Sequence, residues 1–233
     1  MNTTGTTTGR EAAAREAAAR MAASAAAWLG ALDPAQRAVA TGAAPSPDAG
    51  SDAERRRWFY TPTDHGGLTL GAQRPGQQRL ALQLVATGLS TAGYVTVATI
   101  IGLDNVLDQV EGWSVDWGRE RGRDPGLYYL RVFGEPGGAA PWGWRFGGHH
   151  VSLNNLVADG MVRSTTPCFL GADPAVSPLL ARLRCARWAG PRTWPVSWSA
   201  RWIPNGPPAR PCSTGRRPTS SGATGRAWRT ATR

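Results

Sequence analysis

Arginine supplies all 26 basic side chains of this 233-residue sequence, and their distribution sets two regimes within one chain. Residues 1–180 hold 15 Arg against 16 Asp and Glu, a net charge of −1, whereas residues 181–233 hold 11 Arg and no acidic residue. The formal charge of +10 therefore belongs to the C-terminal stretch. A uniformly basic protein would point to nucleic acid or an anionic membrane as partner. Here the near-neutral part is long enough to bury a sizeable core, and the basic excess lies beyond it.

That basic stretch also holds 5 of the 11 Trp and many Pro, Ser and Thr. Trp194, Trp198 and Trp202 recur at helical spacing, but Pro195 and Pro204 interrupt any helix. As written, residues 181–233 read as a disordered Arg-rich tail, with nucleic acid an expected partner only if the tail is genuine. The genetic code offers a competing account. Trp has one codon, TGG, so moving the frame one base upstream turns each Trp into Leu, Val or Met. With GC-rich codons, the shift applied from Arg184 yields a passage containing LVGSLDPERAARA. It has both charge signs, a helical period and an N-cap followed by Pro, and it repeats the pattern of residues Leu29 to Ala38 (LGALDPAQRA). The expectation is a single-base frameshift near Leu180 to Arg184. Residues 181–233 are then out of frame, and the chain is a truncated product without activity.

Residues 1–21 read as a polar lead and the start of an Ala-rich helix. Thr8 and Glu11 have capping-box spacing, so this helix is expected to begin at Gly9 or Arg10 and to carry the EAAAR repeat of residues 11–20. Asp33, Pro34 and Gln36 stop it and cap a short second helix ending near Thr41 and Gly42. Ala43 to Asp52 reads as a loop. Arg55, Arg56 and Arg57 then precede Trp58, Phe59 and Tyr60, a pattern that reads as a solvated basic corner beside three core aromatics. A helix follows Pro75, and Ser90 caps another whose apolar residues keep helical spacing from Tyr94 to Val110. The tight turn at Gly88, Leu89 and Ser90 joins the two as an α-hairpin.

From Asp124 the character changes. Strands are expected at Leu127 to Phe133, Pro141 to Phe146 and His149 to Val157, with Asp159 and Gly160 turning the chain back into Met161 to Cys168. The fold class is α+β, with N-terminal helices and an α-hairpin followed by an antiparallel β unit. No apolar run reaches the length of a membrane span, the longest being Tyr94 to Leu103. With no secretory pattern at the N-terminus and only three cysteines, the expected location is cytoplasmic.

His65, His149 and His150 are the three histidines, and HExxH, P-loop, GxSxG and paired CxxC motifs are missing. The densest chemistry runs from Trp142 to Asn155. His149 and His150 are its candidates for proton transfer or for holding a metal. Strand alternation turns them to opposite faces, His149 with Val151 and Leu153 toward a core and His150 with Ser152 and Asn154 on a polar side. A bulge at Gly147 and Gly148 would bring them together. A hydrogen-bonded core histidine beside one that covers the sheet is the plainer alternative. Trp142, Trp144, Arg145 and Asn154 are candidate ligand contacts, and Arg145 either binds an anionic ligand or pairs with Asp159 or Glu135. Cys168 is a nucleophile or a small residue at a strand end. Asp104, Asp108 and Glu111 share a helix face, as acid–base partners or, more ordinarily, as a solvated face.

Several of these segments together resemble a known family. They are Trp58-x-Tyr60-Thr61-Pro62, Gly88-Leu89-Ser90 leading to Gly93-Tyr94, Arg123-Asp124-Pro125-x-Leu127-Tyr128-Tyr129, and above all Pro141-Trp142-Gly143-Trp144-Arg145-Phe146 followed by Gly148-His149-His150. Residues 22–180 are similar to the domain of unknown function family numbered 3500, and Phe169 to Pro174 continues the likeness. The resemblance implies that relatives continue past residue 181 with a second helical segment and later strands bearing acidic and His residues. Two functions follow as expectations. One is a metal-dependent or acid–base hydrolase-like enzyme using His149 or His150, with a divalent metal in full-length relatives. The other is a ligand- or protein-binding module built on the aromatic β unit.

Overall fold

The alanine-rich opening forms one helix, α1 (Thr4–Gly30), in a computed structural model that describes residues 4–174. The tail expected at residues 181–233 lies outside the described residues. Thr8 and Glu11 fall inside α1 and do not open it, a difference from the capping-box reading. Ala18, Met21, Ala25, Trp28 and Leu29 are buried along one stripe at helical spacing, so a helix of weak overall amphipathicity still has one apolar seam to dock. The next helix, α2 (Pro34–Ala40), starts as its sequence dictates. The Asp33 carboxylate accepts from the Gln36 backbone at 2.8 Å, and the Gln36 side chain accepts from the Asp33 backbone at 3.2 Å.

A short turn of helix, α3 (Ala53–Arg56), precedes α4 (Pro75–Thr87) and α5 (Thr91–Val110). Ser90 caps α5 by accepting from the Gly93 backbone at 3.1 Å. The tight connection of the expected α-hairpin is present, although α4 packs more extensively on α1 than on α5. Gly88, at the end of α4, lies against the Trp144 indole, where a Cβ would fall 2.6 Å from the ring. Among the described residues no helix is long and apolar enough to cross a membrane.

The strands are β1 (Thr41–Gly42), β2 (Leu68–Thr69), β3 (Tyr129–Phe133), β4 (Trp142–Gly148), β5 (Val151–Ala158), β6 (Met161–Ser164) and β7 (Cys168–Leu170). They form one sheet of order β1-β3-β4-β5-β6, with β2 also on β3 and β7 also on β5. Every pairing is antiparallel except β1 with β3, so the α+β class holds while the β unit is a mixed sheet. Thr41 and Gly42, expected only to end a helix, supply that parallel strand. The stretch Met161 to Cys168 is not one strand: it breaks into β6 and β7, and both pair with β5. Asp159 and Gly160 form the expected turn, with φ of 55° and 66°.

Both faces of the sheet are covered. Cross-strand register puts Trp142, Trp144 and Phe146 of β4 on one face with Val157, Asn155 and Leu153 of β5. This face belongs to the core shared with α1 and α4, through residues such as Trp28, Ala81 and Leu84. On the opposite face Arg145 lies beside Arg131 and Asn154. The segment carrying Glu54, His65 and Gly66 packs over it through hydrogen bonds to Arg145. Gly147 and Gly148 admit a ring on each side. A Cβ on Gly147 would meet the His65 imidazole at 2.6 Å, and one on Gly148 the Tyr128 ring at 2.5 Å.

Candidate functional site

The end of β4 corrects the sequence reading of the two histidines. His149 does not begin a strand: His149 and His150 form the two-residue turn between β4 and β5, with Gly148 paired to Val151 across it. Strand alternation therefore does not apply to them. His150 adopts φ 58°, a left-handed conformation uncommon for a residue with a side chain, and the two imidazoles stack with centroids 4.0 Å apart. Main-chain bonds hold the turn on both sides, from the His150 N–H to the Tyr60 carbonyl (2.9 Å) and from the Gly171 N–H to the His150 carbonyl (2.8 Å).

Asp104 on α5 reaches this turn. Its Oδ1 lies 2.6 Å from Nδ1 of His149, and both side chains are buried. The Tyr128 hydroxyl sits between them, donating toward Asp104 Oδ2 at 2.8 Å and the His149 carbonyl at 2.7 Å. Burial, with the Asp104 carboxylate second, pushes the Tyr128 phenol far above its ordinary pKa, so it stays protonated as a donor. A buried carboxylate on Nδ1 fixes the ring's orientation and leaves Nε2 for other chemistry. Nε2 of His149 makes no hydrogen bond among the described residues.

His150 is neutral at physiological pH. Burial first, and the adjacent His149 second, lower its pKa to about 4 against the opposing pull of Asp173 and Asp104. Arg123 borders the site and is held by Glu111 through two bonds of 2.7 Å each. That pairing lowers the Glu111 pKa and raises that of Arg123, each chiefly through the mutual hydrogen bond. Asp104 and Asp108 are therefore not a solvated helix face. Both are buried, the second paired with Arg121 at 2.8 Å. The sequence offers Asp104 as an acid–base candidate only through its helical spacing to Asp108 and Glu111, and nothing in it pairs Asp104 with His149.

Around the turn lies a group of rings. Trp58, Phe59 and Tyr60, expected in the core, are exposed by 45%, 38% and 50%. Tyr60 lies almost parallel to His150 (6.5 Å, 9°), and Phe169 touches both Tyr60 (5.6 Å) and Trp58 (6.1 Å). The adjoining basic run is solvated only in part: Arg55 is buried against Asp52 with bonds of 2.8 and 2.5 Å, whereas Arg56 is exposed.

The four ligand contacts expected from the sequence do not converge. Trp142 and Trp144 are sealed beneath the helices, while Arg145 and Asn154 point to the other face, as pleat alternation requires. Arg145 pairs with neither Asp159 nor Glu135. Its guanidinium bonds Glu54 Oε1 at 3.0 Å and the carbonyls of Glu54, His65 and Gly66, and it lies 5.5 Å from the centre of the Phe133 ring. Asp159 is taken by Arg163. Asn154 donates to the Pro167 carbonyl at 3.4 Å, and its Oδ1 has no partner among the described residues. The Cys168 thiol opens β7, and burial raises its pKa, which suits a packing residue better than a nucleophile.

Residues 14–186 match the family described as "Protein of unknown function (DUF3500)". The chain belongs to this family. No curated protein and no solved structure matches it. The DUF3500 match contains every element from α2 to β7 and most of α1, so the Asp104–Tyr128–His149 arrangement and the ring cluster both lie within the DUF3500 region. The family description assigns no activity, and chemistry has to be argued from these side chains.

Proposed function

We propose that the DUF3500 domain carries an acid–base centre of hydrolase-like chemistry in which His149 transfers the proton. The observation that carries this reading is the 2.6 Å contact between Asp104 and Nδ1 of His149. A proton held on Nδ1 by the carboxylate leaves Nε2 as acceptor, the arrangement of an imidazole general base. Tyr128 bonds both partners, and the His150 ring stacks on His149. A divalent metal at His149 and His150 would need further ligands, since among the described residues no three His, Cys, Asp or Glu side chains are placed to hold a metal ion.

We also infer that the sequence from about residue 181 is out of frame and that the 233-residue chain is a truncated form without turnover. The family match supports this by ending at residue 186, just inside the stretch 181–233 that holds no acidic residue. Nucleotide sequencing across the junction tests the frame, and mass spectrometry finding the printed tail peptides in the natural protein would overturn the inference.

The chemistry is tested by assaying the 233-residue chain and the frame-restored protein against chromogenic esters, phosphate esters and glycosides. In the restored protein, Asp104→Asn and His149→Gln should each lower kcat/KM by about 10²–10⁴-fold. Full activity in His149→Gln sinks the acid–base reading, and equal activity of the two chains sinks the truncation reading. Loss of activity on dialysis against a chelator, restored by zinc, would favour the metal-dependent version.

A further inference from the structure

We propose that the ring cluster beside His150 is a subsite for an uncharged carbohydrate, stacked on Trp58 and Tyr60. The proposal rests on the acid–base reading only for its location and names the substrate class that such a centre would serve. The placement of the rings, their exposure and the charge around them carry it.

The rings form a connected path from solvent to the buried imidazole. Trp58 and Tyr60 lie 6.3 Å apart with planes inclined by 36°, Phe169 supports both from beneath, Tyr60 lies parallel to His150, and His150 stacks on His149. Large aromatic side chains left half exposed beside a buried polar centre are unusual, because burying them would stabilise the fold. The backbone under Tyr60 is also fixed, since main-chain bonds tie Tyr60 and Gly171 to the turn. Such a preorganised surface loses little entropy when a ring lies on it.

Charge decides what kind of ring. An anionic ligand needs a cation, and those nearby are engaged. Arg123 is held bidentately by Glu111, and Arg57 bonds Glu54 and the Asp64 carbonyl while lying over Phe59. The titratable groups that face His150 are His149, Asp104, Arg123 and Asp173, and Asp173 is exposed. The His150 imidazole, an exposed carboxylate, the Tyr60 hydroxyl and the Trp58 indole N–H together offer acceptors and donors. They suit the hydroxyls of a neutral sugar whose C–H face rests on the rings. A phosphorylated or sulfated ligand would meet Asp173 with like charge.

The test titrates the 233-residue chain by calorimetry with cellohexaose, xylohexaose and maltohexaose, and with adenosine and a heparin hexasaccharide as aromatic and anionic controls. At least one neutral hexaose should bind, Trp58→Ala and Tyr60→Ala should each weaken it by about tenfold, and Trp58→Phe should restore most of the affinity. Circular dichroism confirms that the variants fold. Absence of hexaose binding at millimolar concentration, binding indifferent to both alanine variants, or Trp58-dependent binding of only adenosine or heparin overturns the proposal. Hexaose binding without turnover in the frame-restored protein would count against the acid–base reading and leave this one standing. Turnover of non-sugar substrates without hexaose binding would do the reverse.

Discussion

Two buried charged centres are built on the β4–β5 pair, one on Arg145 in mid-strand and one on His149 at the turn. Around Arg145 the protein supplies four acceptors, the Glu54 carboxylate and three carbonyls, and an aromatic ring covers one side. Burial lowers the Arg145 pKa, with the hydrogen bond that Arg145 donates to the Glu54 carboxylate opposing it. Burial also works upward on Glu54, but its bonds to Arg145 and Arg57 outweigh this and leave it below the ordinary value. The His149 centre is equally buried on the Nδ1 side yet has no described partner for Nε2, and its neighbours run out to exposed rings. Buried charge alone does not mark a functional site. A closed set of partners makes a clamp between chain segments, and an open atom beside accessible surface makes a place for chemistry.

The contrast is broken most forcefully at Arg145. Arg145→Ala should destabilise the protein by about 3–5 kcal/mol, because it leaves the buried carbonyls of Glu54, His65 and Gly66 without their donor, while the Glu54 carboxylate keeps only Arg57 and Arg131. Urea denaturation measures this, and a loss below about 1 kcal/mol would show that the clamp is dispensable. Next comes Gly148→Ala, which drives a Cβ into the Tyr128 ring and should cost about 1–3 kcal/mol. Its proton spectrum should also show the His149 ring displaced, since Tyr128 cannot move without loosening its contacts with Asp104 and the turn.

Acid should separate the two centres further. The folded value for His150 is about 4 against an ordinary 6.5, so between these limits the unfolded chain binds protons that the folded one refuses. Stability should be flat above pH 6.5 and fall as pH drops toward 4. His65, lowered chiefly by burial, acts in the same direction. His150→Asn tolerates the left-handed backbone and removes the titration, so its urea midpoint should vary less over this window. The difference should be on the order of 1 kcal/mol, because part of the His150 ring is solvated. An unchanged profile would contradict it. The smallest effect is expected from Trp58→Ala, within about 0.5 kcal/mol of the parent, since the ring is exposed. A larger loss would make Trp58 a packing residue.

Local chemistry was readable from the sequence wherever a single turn decided it. Asp33 with Gln36, Ser90 with Gly93, and Asp159 with Gly160 are contacts within three residues, and each forms as its residue types require. What escaped depended on distant partners. The Asp104–His149 contact spans 45 residues, so its carboxylate looked like any other on a polar helix face. Thr41 and Gly42 become a strand only because β3 lies alongside. The His149–His150 turn carries none of the Gly, Asn or Asp that usually announces a hairpin, and so it was read as strand.

The alternation of bulky and minimal side chains along β4 also makes the hairpin intolerant of error. Shifting its pairing by a single position would carry Arg145 into the space filled by Trp144 and Phe146, and would set the indoles against the room vacated at Gly143 and Gly147. No such slipped arrangement can be compact. A two-residue connection leaves no slack to absorb an insertion, so any change in the length of this turn would take both imidazoles out of alignment with α5.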